Sequence, residues 1–443
     1  MDGPTPIPSR LYKPSAYNLD EFQQICSRTV DPATYPLACA VEQNIPIYDI
    51  PALDAQSPGS ETIAALQDEW HHILFTGPGV FVLRGMYSPT RYEAVLTAAD
   101  AAFDRIIAAE RASHPTKGDH FAAGGTNDRI WNSFSKHALD DPSSLSPLLR
   151  KPVAGPLNAV HPGGAAQAPH RDYHFGFMDA ATLATYPAAT HRASQLLTLQ
   201  GAVAHSAMPV ASGPTRFLPF SQTFGPGYGA AREPAFAAHF AAHYVALPLA
   251  RGDGVFFNPA LMHAAGANVT EPGSGTRRVA NLLQVSSAFG KPMEAVDGLP
   301  LVERCWGSLG EMYRAGVAGG EGSWAMREVR AFVAAVVEGY PFPTNLDRRP
   351  PAPSGMAPES EQDVVMRGLE EGWGEGEGGC GVGRDAVAGT GLKRWPGEVE
   401  RIDPVFLAVF PSGTPGVFCK TQEIRGKREE RGREGESIGI SVW

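Results

Sequence analysis

His170-Arg-Asp172 sets an imidazole and a carboxylate two residues apart; His263 follows, and then the pair Arg277-Arg278. Side chains alternate across a β-strand, so residues i and i+2 share a face. If Ala168–Phe175 is extended, His170 and Asp172 aim into one cavity, and a His on a neighbouring strand can complete a metal site. His263 qualifies. The Gly-rich turn Arg251-Gly-Asp-Gly254 leads into an apolar run ending at Met262, the pattern of a strand after a tight turn. Two His and one carboxylate on one face of an ion, with the other positions open, suit non-heme Fe(II) that activates oxygen.

A guanidinium near such a site has a clear use. Its planar fork pairs bidentately with a carboxylate, so it would hold the distal carboxylate of a 2-oxo acid chelating the iron. Arg277 to Ser286 reads as a strand opening on two arginines. They alternate in direction, so one points inward; Arg277 is favoured, with Arg278 second. His174 continues the alternation from His170 and Asp172, as a substrate contact or as a ligand in a different metal site. His-x-Asp alone is a weak motif, because a buried His is more often a hydrogen-bonded core residue. The strand context, the later His and the following Arg strengthen it. His161, His191, His205, His239 and His243 lack the pattern and are read as packing or capping residues. Cys26, Cys39, Cys305, Cys380 and Cys419 have no metal-ligand spacing, and their odd number and scatter fit a reducing compartment.

The elements that must position these groups follow from periodicity and punctuation. Residues 1 to about 45 are Pro-rich and read as irregular. Ile45–Tyr48 and Phe81–Leu83 are strand candidates. Ser60–Phe75 has helical spacing through Ile63, Leu66, Trp70 and Leu74. Ser88-Pro89 is an N-cap followed by Pro at the first helical position, opening a helix over Thr90–Glu110. The aromatic and polar stretch Gly118–Ser135 holds Trp131 and Asn132, which are candidates to face substrate. From Ala154 to Ala288 come short strand candidates separated by Gly/Pro/Asn turns. The expected fold is mainly β with flanking helices, around a distorted double-stranded β-helix (a jelly roll, cupin-like core). Helices are expected over Ser308–Val317 and Ser323–Val337, with Ser323 as N-cap.

The ordered set of motifs resembles the phytanoyl-CoA dioxygenase family of Fe(II)/2-oxoglutarate oxygenases. Gly79-Val-Phe-Val-Leu-Arg-Gly-Met-Tyr-Ser-Pro89 is similar to the family's opening strand and turn into a helix. Gln167-Ala-Pro-His170-Arg-Asp172 resembles its Gln-x-x-His-x-Asp segment. Gly213-Pro-Thr-Arg-Phe-Leu-Pro-Phe-Ser221 resembles its Gly-x-Thr-x-x-x-Pro-x-Ser stretch, with Phe220 where Gly is usual and Gln222 where His is usual. Gly252 to His263, with Gly266-Ala-Asn268, resembles the distal-His strand and loop. The resemblance implies that His170, Asp172 and His263 bind iron and that Arg277 holds the distal carboxylate of 2-oxoglutarate. It also implies that Gln167 contacts the cosubstrate or substrate, and that O2 is consumed. The His263–Arg277 loop is longer than usual for the family, which leaves the Arg277/Arg278 choice open. Halogenating relatives have a small residue in place of Asp172, so hydroxylation or another oxidation is the expected outcome.

The net charge of −10 over 443 residues argues against nucleic-acid or polyanion partners, and 43% apolar residues are ample for a core. No apolar run approaches membrane-spanning length. Neither a secretory signal nor a peroxisomal Ser-Lys-Leu ending is visible, so a cytoplasmic protein is expected. The substrate is expected to be a small organic molecule, with Trp131, Asn132, Tyr173 and His174 near it; oligomeric state is left open. The domain is expected to span 1–346, with its core at about 79–290 and a helical extension at 308–340. The region 347–443 turns to Gly/Glu/Arg-rich low complexity and is expected to be a mostly disordered tail, with a short helix over Asp363–Gly372. Two rival readings are a non-catalytic jelly-roll binding protein and a cupin-type isomerase using His170, His174 and His263.

Overall fold

The computed structural model describes residues 7, 9–13, 16–56, 60–113, 127–140, 157–292, 296–320, 323–340, 350–351 and 353–373. The chain divides into compact units Met1–Arg394 and Trp395–Trp443, and every described residue lies in the first. Most of the expected low-complexity tail, and Gly118 to Thr126 of the aromatic stretch, lie outside the described residues.

The strands are β1 (Ala40–Glu42), β2 (Ile45–Asp49), β3 (Val80–Arg84), β4 (Asn127–Ile130), β5 (Leu157–Val160), β6 (Thr198–Ala204), β7 (Thr215–Phe217), β8 (Gly254–Phe257), β9 (His263–Ala265) and β10 (Arg278–Ser286). Eight of them form one sheet in the order β1-β2-β3-β8-β6-β10-β5-β4. Only β2 and β3 run parallel; the other neighbours are antiparallel. The second sheet pairs β7 with β9, and His170 adds an isolated antiparallel bridge to His263.

Alternation assigns the two faces of the large sheet. Val80, Val82, Ala202, Ala204, Val255, Phe257 and Ala280 join Phe217 of β7 and Leu261 in one buried cluster, so this face looks toward the small sheet. The intervening residues Phe81, Leu83, Val203, Phe256 and Leu283 pack on the opposite side. There they meet two helices, Ser60–Phe75 and Pro89–Ser113, through Leu66, Ile73, Tyr92 and Leu96. Both helices have the bounds the apolar stripes predict, to within a few residues. Gly79 (φ 84°) turns the chain into β3 where a Cβ would lie 2.5 Å from the Gln222 side chain, so this position takes no larger residue.

Two parts depart from the sequence reading. The N-terminal region expected to be irregular holds a helix, Leu19–Cys26, capped by Asn18 and packed through Phe22 against Phe224 and Phe236. At the other end, Gly298–Ala318 and Trp324–Val336 form the helical extension; Ser323 caps the second helix as expected. A third helix, Glu361–Glu370, stands two residues ahead of the short helix expected over Asp363–Gly372; what departs from the reading is that it packs on the domain instead of standing in a disordered tail. It opens on a Ser360/Asp363 capping box and buries Val365 and Leu369 beside Trp306 and Val333. A boundary at 346 therefore cuts through a hydrophobic cluster. Among the described residues no helix is long and apolar enough to cross a membrane.

Candidate metal centre

His170, Asp172 and His263 converge. Each offers a ligand atom, and these atoms all lie within 4.8 Å of one another. His170 Nε2 is 3.7 Å from Asp172 Oδ1, and His263 Nε2 is 3.5 Å from Asp172 Oδ2. Ligand atoms each about 2.1 Å from a shared ion sit roughly 3 Å apart at right angles and wider at open angles, so these separations accommodate one ion.

The backbone dictates this convergence. His170 and His263 exchange both main-chain hydrogen bonds, at 2.9 and 3.0 Å, which brings their rings to a 4.5 Å centroid separation. The Asp172 N–H donates to Pro259 O at 2.9 Å and fixes the second residue of the motif. The ring orientations are fixed as well. His170 Nδ1 donates to Ala168 O at 2.9 Å, and His263 Nδ1 donates to Leu261 O at 2.8 Å. Each ring, in its neutral form, therefore turns an unprotonated Nε2 toward Asp172, the tautomer a metal ligand requires. Phe257 packs against the His263 ring at 4.7 Å, giving it an apolar wall.

Burial lowers the His170 pKa, with the nearby His263 contributing. Burial alone would raise the Asp172 carboxyl; in the metal-free site a proton on His263 Nε2, which bonds and charges the pair, a proton on His170 and the Gln200 amide together hold it well below the usual carboxylate range, and a metal ion takes the place of those protons. An ionised carboxylate between two imidazole nitrogens is a nest for a cation. The donor set is borderline-hard nitrogen and oxygen, suited to a divalent transition metal.

The remaining site candidates separate. Arg277, expected to point inward, instead pairs with Asp104 at 3.0 Å on the surface. Arg278 is the buried one, 6% exposed, with Nη1 3.5 Å from Gly266 O. Strand pairing explains the swap: Arg278 opens β10 opposite Val160, and its alternation with Ala280 puts it on the inter-sheet face. Gln167 closes on β9 instead of opening toward the cluster, since its Oε1 accepts from the Ala265 N–H at 3.2 Å. His174 does not continue the alternation. Tyr173 and His174 have φ of 65° and 26°, the chain turns after Asp172, and His174 Nδ1 bonds Ser194 Oγ at 2.9 Å. The ligand set His170/His174/His263 required by the isomerase reading does not form. Trp131 lies under the Arg129 guanidinium at 5.1 Å, and Asn132 (φ 50°) turns the chain from β4 into the helix Ser133–Asp140.

Sequence reasoning missed two residues that frame the site. Arg171, between the two ligands, is 4% exposed and donates to the carbonyls of Ser221 and, at 3.4 Å, Phe224; burial lowers its pKa to about 10. Gln200, 6% exposed on β6, donates from Nε2 to Asp172 Oδ2 at 2.5 Å. A signal for Gln200 existed: it is the one amide in the apolar run Leu199-Gln-Gly-Ala-Val-Ala204, and a polar side chain on a buried strand asks for a partner.

Residues 75–279 match the family model for phytanoyl-CoA dioxygenase (PhyH). That segment is a phytanoyl-CoA dioxygenase (PhyH) domain. All three converging residues and Arg278 fall within the matched segment of the domain. Two departures from the family pattern have structural counterparts. Phe220, where Gly is usual, holds a left-handed backbone (φ 67°), and Gln222, where His is usual, is buried and donates to Gly77 O at 2.8 Å. Among solved structures, the chain is similar to a non-heme alpha ketoglutarate dependent carbocyclase, SnoK, from nogalamycin biosynthesis, at 17% identity over 53% of this chain and 86% of that one (TM-score 0.33). It is similar to AviO1 from Streptomyces viridochromogenes Tue57 at 16% identity over 50% of this chain and 95% of that one (TM-score 0.32). The epimerase SnoN, in complex with Fe3+, alpha ketoglutarate and nogalamycin RO, gives 17% over 50% of this chain and 83% of that one (TM-score 0.31). No curated protein matches.

Proposed function

We propose that this protein is a non-heme Fe(II)- and 2-oxoglutarate-dependent oxygenase that hydroxylates a small polar metabolite, with O2 as oxidant. The observation that carries the reading is the cluster His170/Asp172/His263, with both Nδ1–H groups held by backbone carbonyls so that both Nε2 atoms face one carboxylate. Bound there, the iron supplies oxygen activation coupled to oxidative decarboxylation of the 2-oxo acid.

The chain's own residues do the rest. His170, Asp172 and His263 would hold the metal, and three protein ligands would leave room on it for cosubstrate and oxygen. Arg278, buried and cationic, takes the distal carboxylate of 2-oxoglutarate in the role first assigned to Arg277. Gln167 shapes β9 behind the distal His. Tyr173 and His174, in the turn after Asp172, and Trp131 and Asn132, beyond β4, are the proposed substrate contacts. The two sheets facing each other across the Val80/Phe217/Phe257 cluster serve as the distorted double-stranded β-helix that holds the site. The catalytic domain includes the helical extension and Glu361–Glu370 packed on it.

The inter-sheet face supports a polar substrate. Asn158 opposes Ala280, whereas Thr198 pairs with Ser286 at the far end of the β6–β10 ladder, about 20 Å along the strand, so the three share one face of the sheet and Thr198 and Ser286 are side by side on it. Asn158 Oδ1, Thr198 Oγ1 and Ser286 Oγ are buried and find no hydrogen-bond partner among the described residues. Buried polar atoms are rarely left so, and at the adjacent Thr198 and Ser286 a ligand bearing hydrogen-bonding groups fits better than a hydrocarbon chain.

The test is an anaerobic titration of the metal-free protein with Fe(II) and then 2-oxoglutarate, following the visible iron-to-oxoacid charge-transfer band. The band is expected in the wild type and lost in Asp172→Ala. Its absence from folded, iron-loaded wild type would overturn the proposal.

A further inference from the structure

The Asp172 carboxylate has two oxygens, and their surroundings differ. Oδ1 faces His170 Nε2 at 3.7 Å. Oδ2 faces His263 Nε2 at 3.5 Å and also accepts the Gln200 amide at 2.5 Å. An amide oxygen would repel a carboxylate, so the NH2 end is the one that meets Asp172. Gln200 is 6% exposed on a central strand between β8 and β10, and its row is fixed by pairing to Phe257 on one side and Gln284 on the other. Its backbone cannot drift, and its Nε2 is delivered to one carboxylate oxygen only.

We propose that Gln200 is a positioning residue for the metal centre: its amide holds Asp172 Oδ2, turns the carboxylate to a single rotamer and leaves Oδ1 as the metal ligand. This rests on the metal-site reading above. With Oδ2 engaged, Asp172 binds through one oxygen and keeps a further coordination position open for cosubstrate. Without the amide, the carboxylate can rotate or chelate through both oxygens and close that position. Groups that orient a metal ligand in this way typically contribute about 10–100-fold in metal affinity.

Co(II) is the probe, because its d–d absorption reports both occupancy and coordination number without turnover. Metal-free wild type, Gln200→Met and Gln200→Asn are titrated with CoCl2 at one pH, and far-UV circular dichroism checks each fold. Gln200→Met keeps the volume and removes the donor; Gln200→Asn keeps an amide but draws it back by one methylene, a milder change should the first variant not fold. The expected result is a Kd raised by about 10-fold or more in Gln200→Met, together with a d–d band changed in position or intensity, and a smaller change in Gln200→Asn. Wild-type Kd and spectrum in a folded variant would overturn the role of Gln200 while leaving the metal site intact. No Co(II) binding by the wild type would overturn the metal site itself, and the Gln200 role with it.

Discussion

Replacing Arg278 by Met separates two arginines that stand next to each other in the chain and on opposite sides of it. Arg278 is 6% exposed, and burial lowers its pKa to about 10 with no carboxylate among the described residues to raise it back. Arginine ordinarily titrates above about 12, so the depression corresponds to roughly 3 kcal/mol disfavouring the charged side chain in the folded, ligand-free state. The sign follows from linkage. A cation whose pKa is lower in the folded state destabilises at every pH below that value and is relieved only as pH rises through about 10. Arg278→Met removes this cost, so the ligand-free variant is expected to be at least as stable as the wild type at pH 7.

Binding moves the other way. A dianionic oxo acid gives the guanidinium its missing counter-charge. Removing one partner of a buried, hydrogen-bonded ion pair costs about 2–5 kcal/mol, or roughly 30- to 5000-fold in the Kd for 2-oxoglutarate. Arg277→Met breaks only the exposed pair with Asp104, which is worth under about 1 kcal/mol. Anaerobic calorimetric titration of 2-oxoglutarate into Fe(II)-loaded protein measures each Kd, and thermal unfolding with and without 2-oxoglutarate measures the coupled stability. Arg277→Met binding more weakly than Arg278→Met would refute the reasoning, as would a large loss of ligand-free stability in Arg278→Met.

Metal affinity should be nearly flat from pH 8 to about 6.5 and fall below it, because His170, its pKa lowered by burial, stays neutral further into acid than a free imidazole at about 6.5; Co(II) titrations across this range check it, and a fall beginning above pH 7 would contradict it. The same burial makes metal-free folding stability decline as pH drops through about 6.5, where the unfolded chain takes up the proton first. A chain ending at residue 346 loses the burial of Val364, Val365 and Leu369, each contributing about 1.5–3 kcal/mol; its Tm should fall by more than about 5 °C, and an unchanged Tm would show that Glu361–Glu370 does not stabilise the domain.

The metal cluster was legible in the sequence because the physics that forms it is short-ranged. Two residues at spacing two share a face, and a tight turn before His263 announces a strand. The same rule misled one step further on. His174 keeps the parity of His170 and Asp172, but parity holds only while the chain stays extended, and the left-handed backbone at Tyr173 and His174 ends it. The choice between Arg277 and Arg278 needed a register that β5 and β6 impose from outside, since Arg278 is inward only because Ala280 pairs with Ala204 and Asn158. Gln200 lay in plain view as an amide inside an apolar strand, yet its partner is 28 residues away and comes from a loop. The helix Glu361–Glu370 carried its capping box, but its apolar stripe is stable only against Trp306 and Val333, a partner surface that local composition does not reveal. Each error was one of partnership, not of chemistry. The residue types that could bind a cation, a carboxylate or a core were recognised from the chain, and the sheet register then decided which copy of each type is turned inward.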